Sequence, residues 1–561
     1  MISFLNKITT HETEKIKFAA FIIAVSSFLS FLLGLLRDRL LSSTFGVGNT
    51  LDAYYMAFRI PDFVALVLMM GAISVAIVPI FTQNLVENKE KAFKYLANFL
   101  NVATVILVVI CAILFIFAPI LINLIAPGFL DDKKEITVML TRIMFLSPIL
   151  LGISNIISAV LMVFKRFLIT SLAPVVYNLG SIVGIIFFVP MMGIQGLAWG
   201  IVLGAFLHLL IQIPSLSSIG FKLQPSFNIV EKDFLQTIKL TIPRAIGLTA
   251  AQINFIIITA VGSTLLVGSV TIFNWANDLS APIVGLIAIP FATAVFPALS
   301  LAVSKNNREE FLNQFYLAFR QILFLIIPAS AISFLLRAHM VRIVFGTNMV
   351  DWTSTRLTAA CFGIFMFALA AQGLVYLVSK AFYAIRNTVI PTVVSLVSIA
   401  TLPVLAYWFI HLLRYENVFA NLLADFLRVQ DIPHFQIIGL PLAIAVDSII
   451  QIILLLLFLK MKVKEIQYRH FTEFFVKVVL ATTLTVFVSY TVRQIFGGLL
   501  GSTTFFVMLL QTAIVGLVAI VVYYLAAKLL QLPEVSTFSY FLNRLPGVKK
   551  PNNTNESGTH S

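Results

Sequence analysis

The sequence predicts an all-α polytopic membrane protein with about 14 transmembrane helices. Three observations carry that prediction. Apolar residues make up 60% of the 561-residue chain against 11% charged, where a water-soluble chain holds roughly half apolar and a quarter charged residues. Those apolar residues are divided into runs long enough to cross a bilayer. The basic residues behind the net charge of +14 fall in short connections of alternating sign, which reads as topology and excludes a nucleic-acid surface.

In chain order the runs are 18–43, 56–81, 96–124, 138–163, 167–190, 194–216, 240–262, 270–299, 311–336, 358–378, 389–412, 437–459, 475–495 and 504–530. The first is too long for the core of a cleavable signal peptide and no small-residue cleavage site follows it. Alternate connections carry Lys7, Lys15 and Lys17; Lys89, Lys91 and Lys94; Lys165 and Arg166; Lys222, Lys232 and Lys239; Lys305 and Arg308; Lys380 and Arg386; Lys460, Lys462, Lys464 and Arg469; and Lys528, Arg544, Lys549 and Lys550. The opposite set is poor, with Lys133, Lys134, Arg337, Arg342, Arg356, Arg414, Arg428 and Arg493 against the trend. The alternation places both termini in the cytoplasm of a multi-pass protein of the cell (inner) membrane.

Two pieces do not span. Val418, Phe419, Leu422, Leu423, Phe426 and Leu427 form an apolar stripe at helical spacing on the outer side, either an amphipathic helix on the membrane surface or one packed on its own bundle. The tail 536–561 is cytoplasmic and, from Pro551, polar enough to be disordered.

Weak internal likenesses suggest a repeat. Gly196-Leu197-Ala198 with Gln212 resembles Gly439-Leu440-Pro441 with Gln451, and Val78-Pro79-Ile80-Phe81-Thr82 resembles Phe296-Pro297-Ala298-Leu299-Ser300. Spans one to six then recur as seven to twelve, giving lobes 1–220 and 221–464 in parallel orientation, with 465–535 as two additional helices. Two such lobes enclose a central cavity, as in alternating-access transporters.

A charge at bilayer depth costs at least ~2.5–3.5 kcal/mol and needs a reason. The densest group is Arg37, Asp38, Arg39, Asp52, Arg59 and Asp62, beside Gly34 and the turn Phe45-Gly46-Val47-Gly48-Asn49. Guanidinium groups fork onto phosphate, so arginines in a wet cavity suit a pyrophosphate, with the aspartates as pins or switch partners. The alternative is that Arg37, Asp38 and Arg39 end the first helix and meet water. Arg244 after Pro243, Asp278, Asp447, Arg142 and Arg320 are further candidates, the last two as structural or snorkelling residues. Lys380 and Arg386 read as interface determinants. Cys111 and Cys361 lie in apolar runs and define no disulfide framework or metal site. No H-E-x-x-H, P-loop, G-x-S-x-G or Cys/His metal spacing occurs. The outer connections are too short for a catalytic domain, and Asp131-Asp132 beside Lys133 and Lys134 reads as a solvated turn. Neither enzyme nor cofactor is expected.

These residues resemble a known family. Arg37-Asp38, Phe45-Gly46, Asp52-Ala53-Tyr54, Ala57-Phe58-Arg59 and Pro61 are similar to the opening signature of the MurJ (MviN) lipid II flippases. Ala126-Pro127-Gly128-Phe129, Arg166-Phe167 with Ala173-Pro174 and Asn178, Gly196-Leu197-Ala198-Trp199-Gly200 with Gln212 and Pro214, Gln252-Ile253-Asn254, and Phe382-Tyr383 with Thr388 and Pro391 extend the likeness over roughly 20 to 460. The resemblance implies the fold of the multidrug/oligosaccharidyl-lipid/polysaccharide exporters, with a groove at the last two helices for a lipid tail. It implies outward movement of undecaprenyl-pyrophosphate-linked disaccharide-pentapeptide, driven by a coupling ion (Na+ or H+) or membrane potential, with membrane lipids and cell-wall synthesis enzymes as partners. Phe31, Ala65 and Asp278 stand where members have arginine, and Asn387 replaces an acidic residue, which weakens a sodium-site assignment. Arg39 and Arg244 are then expected to supply the missing positive charge, and Asp38, Asp278 and Asn387 to serve gating or ion coupling. Export of other lipid-linked glycans of O-antigen or capsule type is the alternative, with a membrane glycosyltransferase or a drug antiporter behind it.

Overall fold

The computed structural model describes residues 16–66, 73–465, 469–501 and 504–535. Residues 1–15 and the expected tail 536–561 lie outside them.

The chain opens with α1 (Ile16–Phe45), which ends at Gly46, where φ is +64°. Any Cβ there would strike the Met349 carbonyl, so glycine is required for the left-handed turn and for the close approach. Then come α2 (Asn49–Ala57), α3 (Arg59–Ala65) and α4 (Ile73–Glu87). The long α5 (Lys89–Ile125) starts at Asn88, whose side chain accepts from the Glu90 amide, with Glu90 in the positive first turn. The helices α6 (Asp131–Met144) and α7 (Leu146–Val163) form one span with a break at Phe145. They are followed by α8 (Phe167–Val183), which runs on through a π turn at Gly184–Phe188, and by α9 (Gln195–Leu210).

The helices α8 and α9 pack through glycine. Gly180 lies against Gly204, and a Cβ on Gly200 would sit 2.7 Å from the Gly184 Cα. In lipid, where apolar side chains gain nothing by leaving the solvent, such close backbone contact supplies the packing energy.

Beyond a connection at 219–231 come α10 (Lys232–Ser263), α11 (Ser269–Leu286), α12 (Ala288–Ser304) and α13 (Arg308–Leu335). The last is capped by Asn307, which accepts from the Glu310 amide at 3.0 Å. The rest of the chain forms α14 (Arg337–Phe345), α15 (Trp352–Ala384), α16 (Val389–Leu412), α17 (Val418–Leu427), α18 (Gly439–Lys462), α19 (Arg469–Leu500) and α20 (Phe505–Leu529).

Among the described residues, 11 stretches are long and apolar enough to cross a membrane. The exact count of fourteen is not confirmed by them. The first, second and seventh expected spans each lie partly outside the described residues, the first and seventh in their side chains; of the seventh, in α10, Gln252–Ser263 is described as a shorter apolar helix.

The chain clusters into two compact units. The first comprises Met1–Leu279, Val341–Ile364 and Thr392–Asp447; the second comprises Ser280–Met340, Phe365–Pro391 and Ser448–Ser561. In the second, α19 and α20 pack on α13: Tyr523 donates to the Phe324 carbonyl at 2.7 Å and Arg493 to the Leu335 carbonyl at 3.1 Å. Arg320 pairs with the buried Glu534 at 2.7 Å, which makes it the structural residue the sequence suggested.

The outer stripe is a helix, α17, begun by Asn417, which accepts from the Ala420 amide. It has two faces. Ala420, Ala424 and Leu427 are buried against the protein, while Val418, Leu422 and Phe426 are exposed. Asp431, held by two hydrogen bonds from Arg356 at 2.6 Å, follows it. Those bonds hold the Asp431 carboxyl below the usual carboxylate range.

Candidate functional site

The charged residues of the first spans separate into two groups within the first unit. Asp52, on α2, is 1% exposed. Its Oδ2 accepts from the Lys133 Nζ at 2.8 Å and the Gly268 amide at 2.7 Å, and its Oδ1 accepts from the Thr271 amide and hydroxyl, both at 2.8 Å. The carboxylate thus caps the N-terminus of α11 from another helix, where unpaired amides and the helix dipole favour negative charge. Its acceptor positions are filled inside the fold. Lys133 also lies over the Phe129 ring, 3.9 Å from its centroid. This corrects the reading of 131–134 as a solvated turn: Asp131 and Asp132 are exposed, but Lys133 is buried as the counter-ion of Asp52.

The second group is the candidate cavity. On α1, Arg37 Nε and Nη2 both donate to Asp38 Oδ1, at 2.9 and 2.8 Å. Asp38 is 3% exposed, and Asp278 of α11 lies within electrostatic reach of Asp38, Arg37 and Arg59. Arg59, at the start of α3, is 7% exposed. One of its Nη atoms donates to the Asn274 side chain, its guanidinium lies 4.1 Å from the centre of the Phe255 ring, and its Nε has no hydrogen-bond partner. Tyr54 and Tyr55 complete the wall beside Arg37, and Trp275 Nε1 donates to the Tyr55 hydroxyl at 3.0 Å while its ring stacks on Phe345 at 4.4 Å. Asp62 and Tyr177 line a small cavity of about 30 Å3 that Ala65 also borders. The small Ala65 side chain thus leaves space beside the Asp62 carboxyl group.

Other expected site residues lie elsewhere. Arg39, two residues on from Arg37, donates to the Ile343 carbonyl of α14. Asn387 accepts from the Ile390 amide at 3.1 Å and so caps α16. Arg244 falls within α10, and its side chain lies outside the described residues. Asp447 is buried and accepts from Ser398 at 2.6 Å and Thr401 at 2.7 Å, with Asn254 donating to Ser398. Among the described residues no group of His, Cys, Asp and Glu has the geometry to hold a metal ion, and both cysteines are buried and unpaired.

Sequence reading missed Asn274, Phe255 and Lys133. A signal existed for the first: Asn274 and Asp278 are four residues apart in an apolar run, which puts two polar groups on one helix face. For Phe255 and Lys133 nothing local distinguishes a ring that receives a guanidinium, or a lysine that turns inward.

A bundle of helices long and apolar enough to cross a membrane defines the class: a polytopic membrane protein. The folds of solved transporters agree. The chain superposes on a lipid II flippase MurJ in an inward closed conformation with a TM-score of 0.71, at 24% identity over 93% of this chain and all of that one. It also superposes on an inward-facing multidrug transporter of the MATE family with a TM-score of 0.61, at 16% identity over 78% and 94%. The sequence profile described as lipid II flippase MurJ matches residues 41–512. Relatives include the lipid II flippase MurJ of Burkholderia cenocepacia, 25% identical over 71% of this chain and 79% of that protein. Another is a probable lipid II flippase MurJ of Buchnera aphidicola, 26% identical over 84% and 89%. The chain belongs to the MurJ lipid II flippase family.

Proposed function

We propose that this protein carries lipid II, the undecaprenyl-pyrophosphate-linked disaccharide-pentapeptide, from the cytoplasmic to the outer leaflet by alternating access. The observation that supports it, beside the family, is the Arg37–Asp38–Asp278–Arg59 cluster that α1, α3 and α11 bring together in the first unit. Arg37 spends its fork on Asp38 in this state. Both donors share the single Asp38 Oδ1, whereas an arriving pyrophosphate offers them two oxygens and more charge, so it takes Asp38's place on the guanidinium. Arg59 keeps a free N–H for a second oxygen. The lobes 1–220 and 221–464 rock about this point, and the lipid tail runs along α19 and α20.

Two arginines face three carboxyl groups here: Asp38, Asp62 and Asp278. With all of them ionised one negative charge is left over, which is where a coupling cation, Na+ or H+, or the membrane potential acts. Enzymes of wall synthesis are the expected protein partners on the cytoplasmic connections.

The test is complementation in a bacterium depleted of its own lipid II flippase. The wild type restores growth and outward exposure of lipid II, and Arg37→Ala does not. A second reading, export of another polyprenyl-pyrophosphate-linked glycan, is favoured by Phe31, Ala65 and Asp278 at family arginine positions. Failure of the wild type to rescue despite confirmed insertion would select it.

A further inference from the structure

Away from the arginine cluster, a groove of about 1140 Å3 opens between α5 and the α6–α7 span. On α5 it is lined by Cys111, Phe115, Ile116 and Pro119, residues three and four apart that share one helix face. Ile116 and Phe115 are 67% and 45% exposed. In a spanning helix such exposure is exposure to lipid.

One end of the groove is polar. Asn123, Asp131, Lys134 and Glu135 gather where α5 turns into α6, on the side that the basic-residue count assigns to the outer leaflet. Arg142 lies eight residues beyond Lys134 on the same face of α6, roughly 12 Å further along at 1.5 Å per residue. Its Nε donates to the Phe115 carbonyl at 3.3 Å and its guanidinium lies 5.1 Å from the Phe115 ring centre. No carboxylate pairs with it among the described residues. A guanidinium on an apolar, lipid-facing wall with a carbonyl as its partner keeps donors free for an oxyanion that arrives with an apolar chain.

We infer that this groove binds one phospholipid with an aminoethyl-phosphate headgroup. An acyl chain lies between Phe115, Ile116 and the α7 wall. The phosphate is held by Arg142 and Lys134, and the primary ammonium by Asp131 and Glu135. Charge complementarity selects this occupant. The groove offers two cations and two carboxylates. A glycerol headgroup brings the same phosphate to the cations but no positive charge to the carboxylates, which stay uncompensated. A choline headgroup carries the same charges but has no N–H to donate to them. The groove shares no residue with the arginine cluster, so the binding is independent of which glycan is transported.

Native mass spectrometry of the full chain, released from mild detergent with phosphatidylethanolamine, phosphatidylglycerol or phosphatidylcholine of identical acyl chains, tests this. One phosphatidylethanolamine is expected to be retained in preference to the other two. Arg142→Gln is expected to weaken that retention about tenfold, the scale of one charge-assisted contact. A double variant, D131N with E135Q, is expected to abolish the preference over phosphatidylcholine while total lipid retention persists. These two carboxylates are exposed, so the double variant decides the matter even if Arg142→Gln does not fold. Equal retention of all three lipids, preference for phosphatidylglycerol, or indifference to both variants would overturn the inference. Lipid retention is read without transport, so its failure is distinct from failure of complementation.

Discussion

At the scale of single residues, the aspartates near the ends of the first helices have different work, and only their partners tell them apart. Asp52 is held by a lysine, two amides and a hydroxyl, whereas Asp38 accepts from the one arginine proposed to release it. Removing the lysine leaves a buried carboxylate without its counter-ion, which typically costs about 3–5 kcal/mol. Lys133→Met is therefore expected to lower the unfolding temperature in detergent markedly. Adding Asp52→Asn should restore much of the loss, since the amide oxygen still accepts from Thr271 and no charge stays unpaired. Additive effects in this double-mutant cycle would show that the pair is not coupled. The sequence made Arg37, Asp38, Arg59 and Asp278 legible because charges in apolar runs are rare. It could not tell which of Arg37 and Arg39 joins the cluster: positions two apart on a helix diverge by about 200°, and Arg39 reaches Ile343 some three hundred residues away in the chain.

At the scale of elements, backbone contact and capping decide what packs. The α8–α9 pair rests on facing glycines, while Gly34 on α1 has open space where a Cβ would go. Gly184→Leu is expected to abolish or greatly reduce the folded, detergent-stable fraction in size-exclusion chromatography. Gly34→Ala should be neutral or stabilising by up to ~1 kcal/mol, the helix-propensity difference. A tolerated Gly184→Leu would mean that the two helices do not need this approach. The connection after α17 carries a pH prediction. The folded Asp431 carboxyl titrates below its unfolded value, so the contribution of its bridge to Arg356 is present above the ordinary aspartate range near ~3.9 and is lost as pH falls through the folded value. A nitroxide on a cysteine at Leu422 should stay immobile at neutral pH and loosen in acid. In Asp431→Asn it should be loose already at neutral pH. The sequence left open whether α17 lies on the membrane or on the bundle. Both were half visible: its alanines pack inward, and its larger side chains stay uncovered.

At the scale of the whole molecule, the fold class was legible because the bilayer demands long apolar helices and leaves few alternatives. The number of crossings rests on the alternation of basic connections, since the first, second and seventh expected spans lie partly outside the described residues. The seventh expected span lies in α10, where Gln252–Ser263 is described as a shorter apolar helix and part of the preceding stretch lies outside the described residues. Whether α10 crosses fixes the parity of everything after it. Cys111 and Cys361 are buried, so single cysteines placed on the surface report cleanly against a silent background. Met191, Val230 and Val267 are 81%, 73% and 61% exposed; Met191 lies at the end of the span that α8 begins, and the other two lie in the connections before and after α10. If α9 and α10 both span, a membrane-impermeant maleimide should label Met191→Cys and Val267→Cys in intact cells, and Val230→Cys only after the membrane is opened. If α10 does not cross, Val267→Cys will behave like Val230→Cys, the expected count will be odd, and the C-terminus will face outward. In that case the basic residues after α18 would sit on the wrong side of the membrane, against the charge rule that the rest of the chain follows.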